Sequence, residues 1–128
     1  MKVILSNLNL LGYQETPKIL FTKGGGQWLQ VQANSGANAL GTDWQTNLGS
    51  ARKIVNDKVA LQGNLDPAIL LSDPKLIEKA VKEVLDDYGH GEGHIFNLGH
   101  GITQFTPPEN LQALLETVRN YSPQFHKK

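Results

Sequence analysis

Four short apolar runs, each ending in small or polar residues, constrain this chain more than any other feature of its sequence. They are Ile19-Leu20-Phe21, Ala39-Leu40-Gly41, Val59-Ala60-Leu61 and His94-Ile95-Phe96. The residues after them are Thr22-Lys23-Gly24, Thr42-Asp43-Trp44, Gln62-Gly63-Asn64 and Asn97-Leu98-Gly99-His100. Segments of helical composition lie between. Continuous apolar strands alternating with helices indicate a parallel β/α architecture, whose strands are buried on both faces. The intervals are near the minimum for a β-α-β crossover, except the third, which carries the clearest helix.

That helix is expected over Pro74 to Tyr88. Leu76, Ile77, Ala80, Val81, Val84 and Leu85 recur at three- and four-residue spacings and form one face for burial. Lys75, Glu78, Lys79, Lys82, Glu83 and Asp86 fall largely outside it. Asp73 is placed to cap the N-terminus, with Pro74 in the first turn, and Gly89 ends the helix. A last helix should run from Pro108 to Tyr121 on an apolar face of Leu111, Leu114, Leu115 and Val118, stopped by Ser122-Pro123. Weaker helices are expected over residues 27–34 and from Leu48 to Val55, and Asp66 before Pro67 reads as another N-cap. Residues 124–128 should fray. Residues 1–16 fit least well: Val3, Ile4 and Leu5 suit a strand or part of a helix.

The chain has 128 residues, enough for one core, whereas a closed eight-stranded β/α barrel takes roughly 250 residues. Twelve Lys and Arg balance 12 Asp and Glu, so no basic stripe suits nucleic acid. No cysteine is present, which excludes disulfides, thiolate metal sites and thiol nucleophiles. The apolar run after Met1 stops at Ser6-Asn7 with no small-residue cleavage site behind it, unlike a secretion signal. Nothing approaches a membrane-spanning stretch of about 20 apolar residues. These features predict a cytoplasmic protein.

In parallel β/α proteins, ligands bind at the C-terminal ends of the strands. That geometry gathers Lys23, Asp43, Gln62, Asn64, Asn97 and His100 at one mouth. Lys23, Gly24, Gly25 and Gly26 follow a strand and open a helix, which suits either a tight turn or an anion-binding turn. They lack the Gly-Lys-Ser/Thr ending of a nucleotide-binding loop. Lys23 could form a Schiff base only if desolvated, and three adjoining glycines shield it poorly. Asp43 could orient a catalytic group, bind a substrate N–H, or cap its own turn; the last role is favoured.

His90, His94 and His100 together with Asp43 would suggest a metal-assisted hydrolase if they converged. Glycines 89, 91 and 93 put His90 and His94 in a loop before the fourth strand, a strand's length from His100, so no metal is expected. His90 and His94 are assigned to loop or subunit contacts. His100 stands between Gly99 and Gly101 at the ligand-binding end, where an accessible imidazole can donate to a carboxylate or assist proton transfer.

The segments ILFTKGGGQWL, ALGTDW, KVALQGNLDP and GHGEGHIFNLGHGI, in this order and at these intervals, resemble the C-terminal part of the uroporphyrinogen decarboxylase family. The resemblance spans about residues 17 to 126 and implies the last four β/α units of a TIM-type barrel, as a half barrel or a partial open parallel sheet. Residues 17–128 would then be the half barrel and residues 1–16 an unassigned segment. It implies a cofactor-independent enzyme of haem biosynthesis that removes the carboxyl groups of the four acetate side chains of uroporphyrinogen III, giving coproporphyrinogen III. The pyrrole ring is protonated to act as its own electron sink. The resemblance makes His100 the contact to the reacting acetate and brings Gly99 and Gly101 with it. Asp43, Gln62 and Asn64 match family segments and are assigned roles in shaping the cleft. GTDW departs from the family's usual GLDW beside the strand end, leaving the aspartate in place.

The family's N-terminal arginine-rich motif, its pyrrole-gathering aspartate and its substrate-contacting tyrosine and serine have no counterpart in this chain. The isolated chain is therefore expected to be inactive, and its exposed strand edges to need the missing N-terminal half or a second copy in a homodimer. The competing reading is a noncatalytic tetrapyrrole-binding or assembly module.

Overall fold

Residues 1–126 are described by a computed structural model. Helix α1 (Lys2–Leu10) leads into strand β1 (Ile19–Phe21), followed by α2 (Leu29–Ala33), β2 (Ala39–Gly41), α3 (Leu48–Val55) and β3 (Ala60–Leu65). Helix α4 (Pro74–Tyr88), strand β4 (His94–Leu98) and helix α5 (Pro108–Tyr121) complete the alternation. The four strands pair in parallel in the order β1-β2-β3-β4, an open sheet of consecutive β/α units.

Register explains which side chains face where. Leu20 pairs with Leu40, Leu61 with His94 and Leu65 with Leu98, and this row lies under the helices. Leu40, Leu61 and Leu65 are buried there. One core cluster joins Leu40 and Leu61 to Leu29, Leu48, Ala51 and Val55; a second joins Leu65 to Leu70, Ile77, Val81, Leu85 and Leu114. Phe21, Gly41, Gln62 and Ile95 form the opposite row, which no helix covers. Ile19, Phe21 and Ile95 are 53%, 47% and 41% exposed, unusual for a parallel sheet and the direct consequence of an open edge and an open face.

Helix ends follow their capping residues. Asp73 accepts from the Lys75 N–H and Asp66 from the Ala68 N–H, each followed by a proline in the first turn. Gly89 ends α4 at φ +79°, a conformation a side chain would resist.

Several expectations need correction. The third strand runs on to Leu65, so Gln62, Gly63 and Asn64 lie within it, and the fourth runs to Leu98. His94 opens β4 instead of lying in the preceding loop, because its backbone already pairs with Leu61. Residues 27–34 divide into a 3-10 turn (Gly26–Trp28) and the short α2. Leu76 is 52% exposed. The buried stripe of α4 runs Ile77, Val81, Leu85 and Tyr88, and Leu76 sits about 100° round the helix from Ile77. Leu115 is also exposed, while Asn110 and Thr117 of α5 are buried. The expected fraying of the tail fails for residues 124–126, which belong to a 3-10 helix (Ser122–His126) anchored by buried Phe125. Residues 127–128 lie outside the described residues. Of the two alternatives for Val3–Leu5, the structure takes the helix, with Leu5 buried in the first cluster.

Candidate functional site

The loops after β1, β2 and β4 and the end of β3 meet at the C-terminal edge of the sheet. Phe21, Thr42, Gln62, Asn97, Gly99 and His100 line a cleft of about 410 Å³ there. Its floor is the uncovered row of the sheet, because Phe21, Gly41 and Gln62 share one register.

His100 is exposed at the mouth. Its ring stands edge-on to two aromatic rings, Phe21 at 6.2 Å and Trp44 at 6.1 Å between centroids. Its backbone is fixed by Gly99, which donates to the Leu65 carbonyl at 2.7 Å and packs on the Asp43–Trp44 peptide. A Cβ at Gly99 would lie 3.0 Å from the Asp43 carbonyl carbon and 3.1 Å from Trp44 Cα, so this strand end requires glycine. Gly101 faces open space.

Asp43 is 2% exposed and does not face the cleft with a free carboxylate. Oδ2 accepts from the Gly24 N–H, while Oδ1 accepts from the Gln45 N–H and the Thr46 hydroxyl, each at 3.2 Å. Asn64, also buried, donates from Nδ2 to the carbonyls of Asp43 (2.7 Å) and Thr46. The Gln62 carbonyl accepts from Thr42, and its half-buried side chain lines the cleft. Lys23 sits with Nζ 5.6 Å from the centre of the Trp44 ring, a cation–π position. Gly24 takes φ +70°, and Gly25 is buried against Gln32, whose amide donates to the Gly25 carbonyl at 3.1 Å.

The structure thus brings Gln62, Gly99, Gly101 and His100 to the cleft wall and sets Lys23, Gly24, Asp43 and Asn64 behind it. Gly25 is the most withdrawn. Phe21 and Trp44, the ring's two neighbours, were not among the residues expected to form the site. Phe21 reads in the sequence as the end of an apolar run; its alternation with buried Leu20 was the available signal.

His94 lies on the other side of the sheet. It stacks on Tyr88 and its Nε2 meets the Gly63 carbonyl at 2.9 Å. Burial pushes its pKa down, the Gly63 carbonyl pulls it partly back, and His126 and Arg52 add to the lowering. Among the described residues, no three His, Asp or Glu side chains are grouped to hold a metal ion. Nor is any helix of the described residues long and apolar enough to cross a membrane.

Consecutive parallel β/α units with a cleft at the carboxyl ends of their strands define part of a TIM-type barrel. A methyltransferase from Methanosarcina mazei shares this fold over 82% of the chain and 31% of its own, at a TM-score of 0.71 and 21% identity. The chain belongs to the uroporphyrinogen decarboxylase family: the family model described as uroporphyrinogen decarboxylase (URO-D) matches residues 2–121. The uroporphyrinogen decarboxylase of Methylobacillus flagellatus is 62% identical over 86% of this chain and 31% of its own length. Those of Nitrosospira multiformis and Methylococcus capsulatus are 55% and 51% identical over 91% and 97% of the chain, and 32% and 35% of their own lengths. The chain spans about a third of the curated relatives it matches.

Proposed function

We propose that this chain is the C-terminal part, residues 17–128 with α1 in front, of an enzyme that decarboxylates the four acetate side chains of uroporphyrinogen III to give coproporphyrinogen III. No cofactor takes part, and the reaction is placed in the cytoplasm. The chain supplies His100, which donates to the reacting acetate or assists its proton transfer, and the strand ends that shape the cleft. The observation that carries this reading is the seating of His100: an accessible imidazole edge-on to two aromatic rings, at the strand ends where such folds bind ligands.

Alone, the chain is inactive. A tetrapyrrole with several carboxylates needs converging cations, and Lys23 is held over Trp44, the neighbour of His100, a single cation where several are required. The exposed row Ile19, Phe21 and Ile95 marks the surface that the N-terminal part of the enzyme, or a second copy, covers.

The test is reconstitution. The chain is co-expressed with the N-terminal two-thirds of the Methylobacillus flagellatus relative, and decarboxylation of uroporphyrinogen III is followed. Turnover that falls about a hundredfold or more in His100→Asn supports the proposal. Stoichiometric tetrapyrrole binding without turnover would replace it with a noncatalytic binding module.

A further inference from the structure

We propose that Asp43 is a positioning residue for His100. Its buried carboxylate ties the loop after β1 to the turn after β2, and so fixes the relative placing of Phe21 and Trp44, the two rings beside the imidazole. This rests on the reading of His100 as the substrate contact and adds what holds that contact in place.

The two rings beside His100 come from different segments. Phe21 ends β1, three residues before Gly24; Trp44 follows Asp43 directly. Asp43 joins those segments, Oδ2 to the Gly24 N–H and Oδ1 to the Gln45 N–H and Thr46 hydroxyl. Asn64 fastens the same turn to β3 through the carbonyls of Asp43 and Thr46. Gly99, one residue before His100, rests on the Asp43–Trp44 peptide. The backbone of His100 and both rings beside its imidazole are thus referred to one acceptor.

An ionised carboxylate suits this position because it only accepts, and three donors converge on it. Asparagine has nearly the same shape but one accepting oxygen. In Asp43→Asn the amide NH2 must face either the Gly24 N–H or the Gln45 N–H, neither of which can accept from it, so one of those two ties is lost.

The test uses ring-proton NMR of the histidines in the full 128-residue chain. The ring currents of Phe21 and Trp44 displace the His100 signals from free-histidine positions, and Trp44→Leu identifies that displacement. Asp43→Asn should move the signals towards the free positions, Thr46→Val should move them part of the way, and the distant core truncation Val81→Ala should leave them. His100 signals unmoved by Asp43→Asn overturn the proposal. Should Asp43→Asn not fold, Thr46→Val decides, and unmoved signals there overturn it equally. In the reconstituted enzyme Asp43→Asn should lower kcat roughly tenfold to a hundredfold with a much smaller change in KM. Absence of turnover in the reconstituted wild type overturns the decarboxylase reading and is separate from the NMR result, which reports on Asp43 by itself.

Discussion

Tyr88 and His94 stack face to face, their ring centroids 4.4 Å apart and their planes 15° from parallel. Arg52 covers the Tyr88 ring as well, its guanidinium carbon 4.4 Å from the centroid. The same guanidinium donates to the carbonyls of Tyr88 and His90 and pairs with Asp57 at 2.8 Å. The stack locks the end of α4 to the start of β4, at the end of the sheet away from the cleft.

This stack makes folding pH-dependent. Burial favours the neutral His94 ring, so its pKa in the folded chain lies below the unfolded value of about 6.5. Between those two values the unfolded chain binds more protons. Stability from this group is therefore complete above about pH 6.5 and falls as pH drops through the window beneath it. Tyr88 and Arg52 stay in one charge state throughout that window, because the pKa of each is raised. Urea midpoints at roughly pH 8 and pH 5 should differ less in His94→Gln, which keeps an N–H donor for the Gly63 carbonyl, than in the wild type. Equal differences in the two proteins would remove His94 from this role.

Two glycines flanking His100 should behave oppositely. An alanine at Gly99 meets the Asp43 and Trp44 backbone, which cannot yield as a flexible side chain could, so Gly99→Ala should cost about 1–3 kcal/mol. Gly101→Ala meets nothing within 4 Å and should stay within about 0.5 kcal/mol of the wild type. Urea denaturation of both variants measures the contrast, and a cost shared equally by the two would contradict the packing.

The sequence showed the β/α alternation, the two long helices and the N-caps at Asp66 and Asp73 because each is a local signal. Periodicity, capping side chains and proline act over a few residues. It did not show that Asp43 accepts from Gly24, nor that Phe21 and Trp44 stand beside His100, because those contacts join strand ends far apart in the chain. The expected buried faces failed at Leu76 and Leu115 for a related reason. Apolar spacing gives a stripe but not its centre, which is set by what the helix packs against. Asn110 is the complementary case, a polar residue that the stripe of α5 turned inward.

Asn110 is 6% exposed and its Nδ2 donates to the Leu70 carbonyl at 2.8 Å and the Ser72 carbonyl at 3.0 Å. It thereby fastens α5 to the end of the 3-10 turn (Pro67–Leu71) that precedes α4. Asn110→Ala leaves both carbonyls without that donor and should cost about 1–3 kcal/mol. Asn110→Asp places a carboxylate oxygen against them and should cost more at neutral pH, with part of the loss recovered as acid protonates it. Thermal melts of the two variants at neutral and acid pH test this order.

The uncovered row of the sheet gives the last expectation. Ile19, Phe21 and Ile95 are each at least 41% exposed on the face opposite the helices, and two strand edges flank them. Apolar area removed from water contributes about 25 cal/mol per Å², so a partner that covers this row gains binding energy from it. The strand edges add unpaired backbone donors and acceptors. The free chain should therefore scatter light as more than one copy and bind an apolar dye such as ANS. Ile19→Thr with Ile95→Thr, both β-branched and suited to strands, should reduce both signals while leaving the urea midpoint nearly in place. Co-expression with the N-terminal part of a relative should suppress the dye signal as the double variant does. Light scattering of a lone, dye-silent wild-type monomer would show that this face needs no cover.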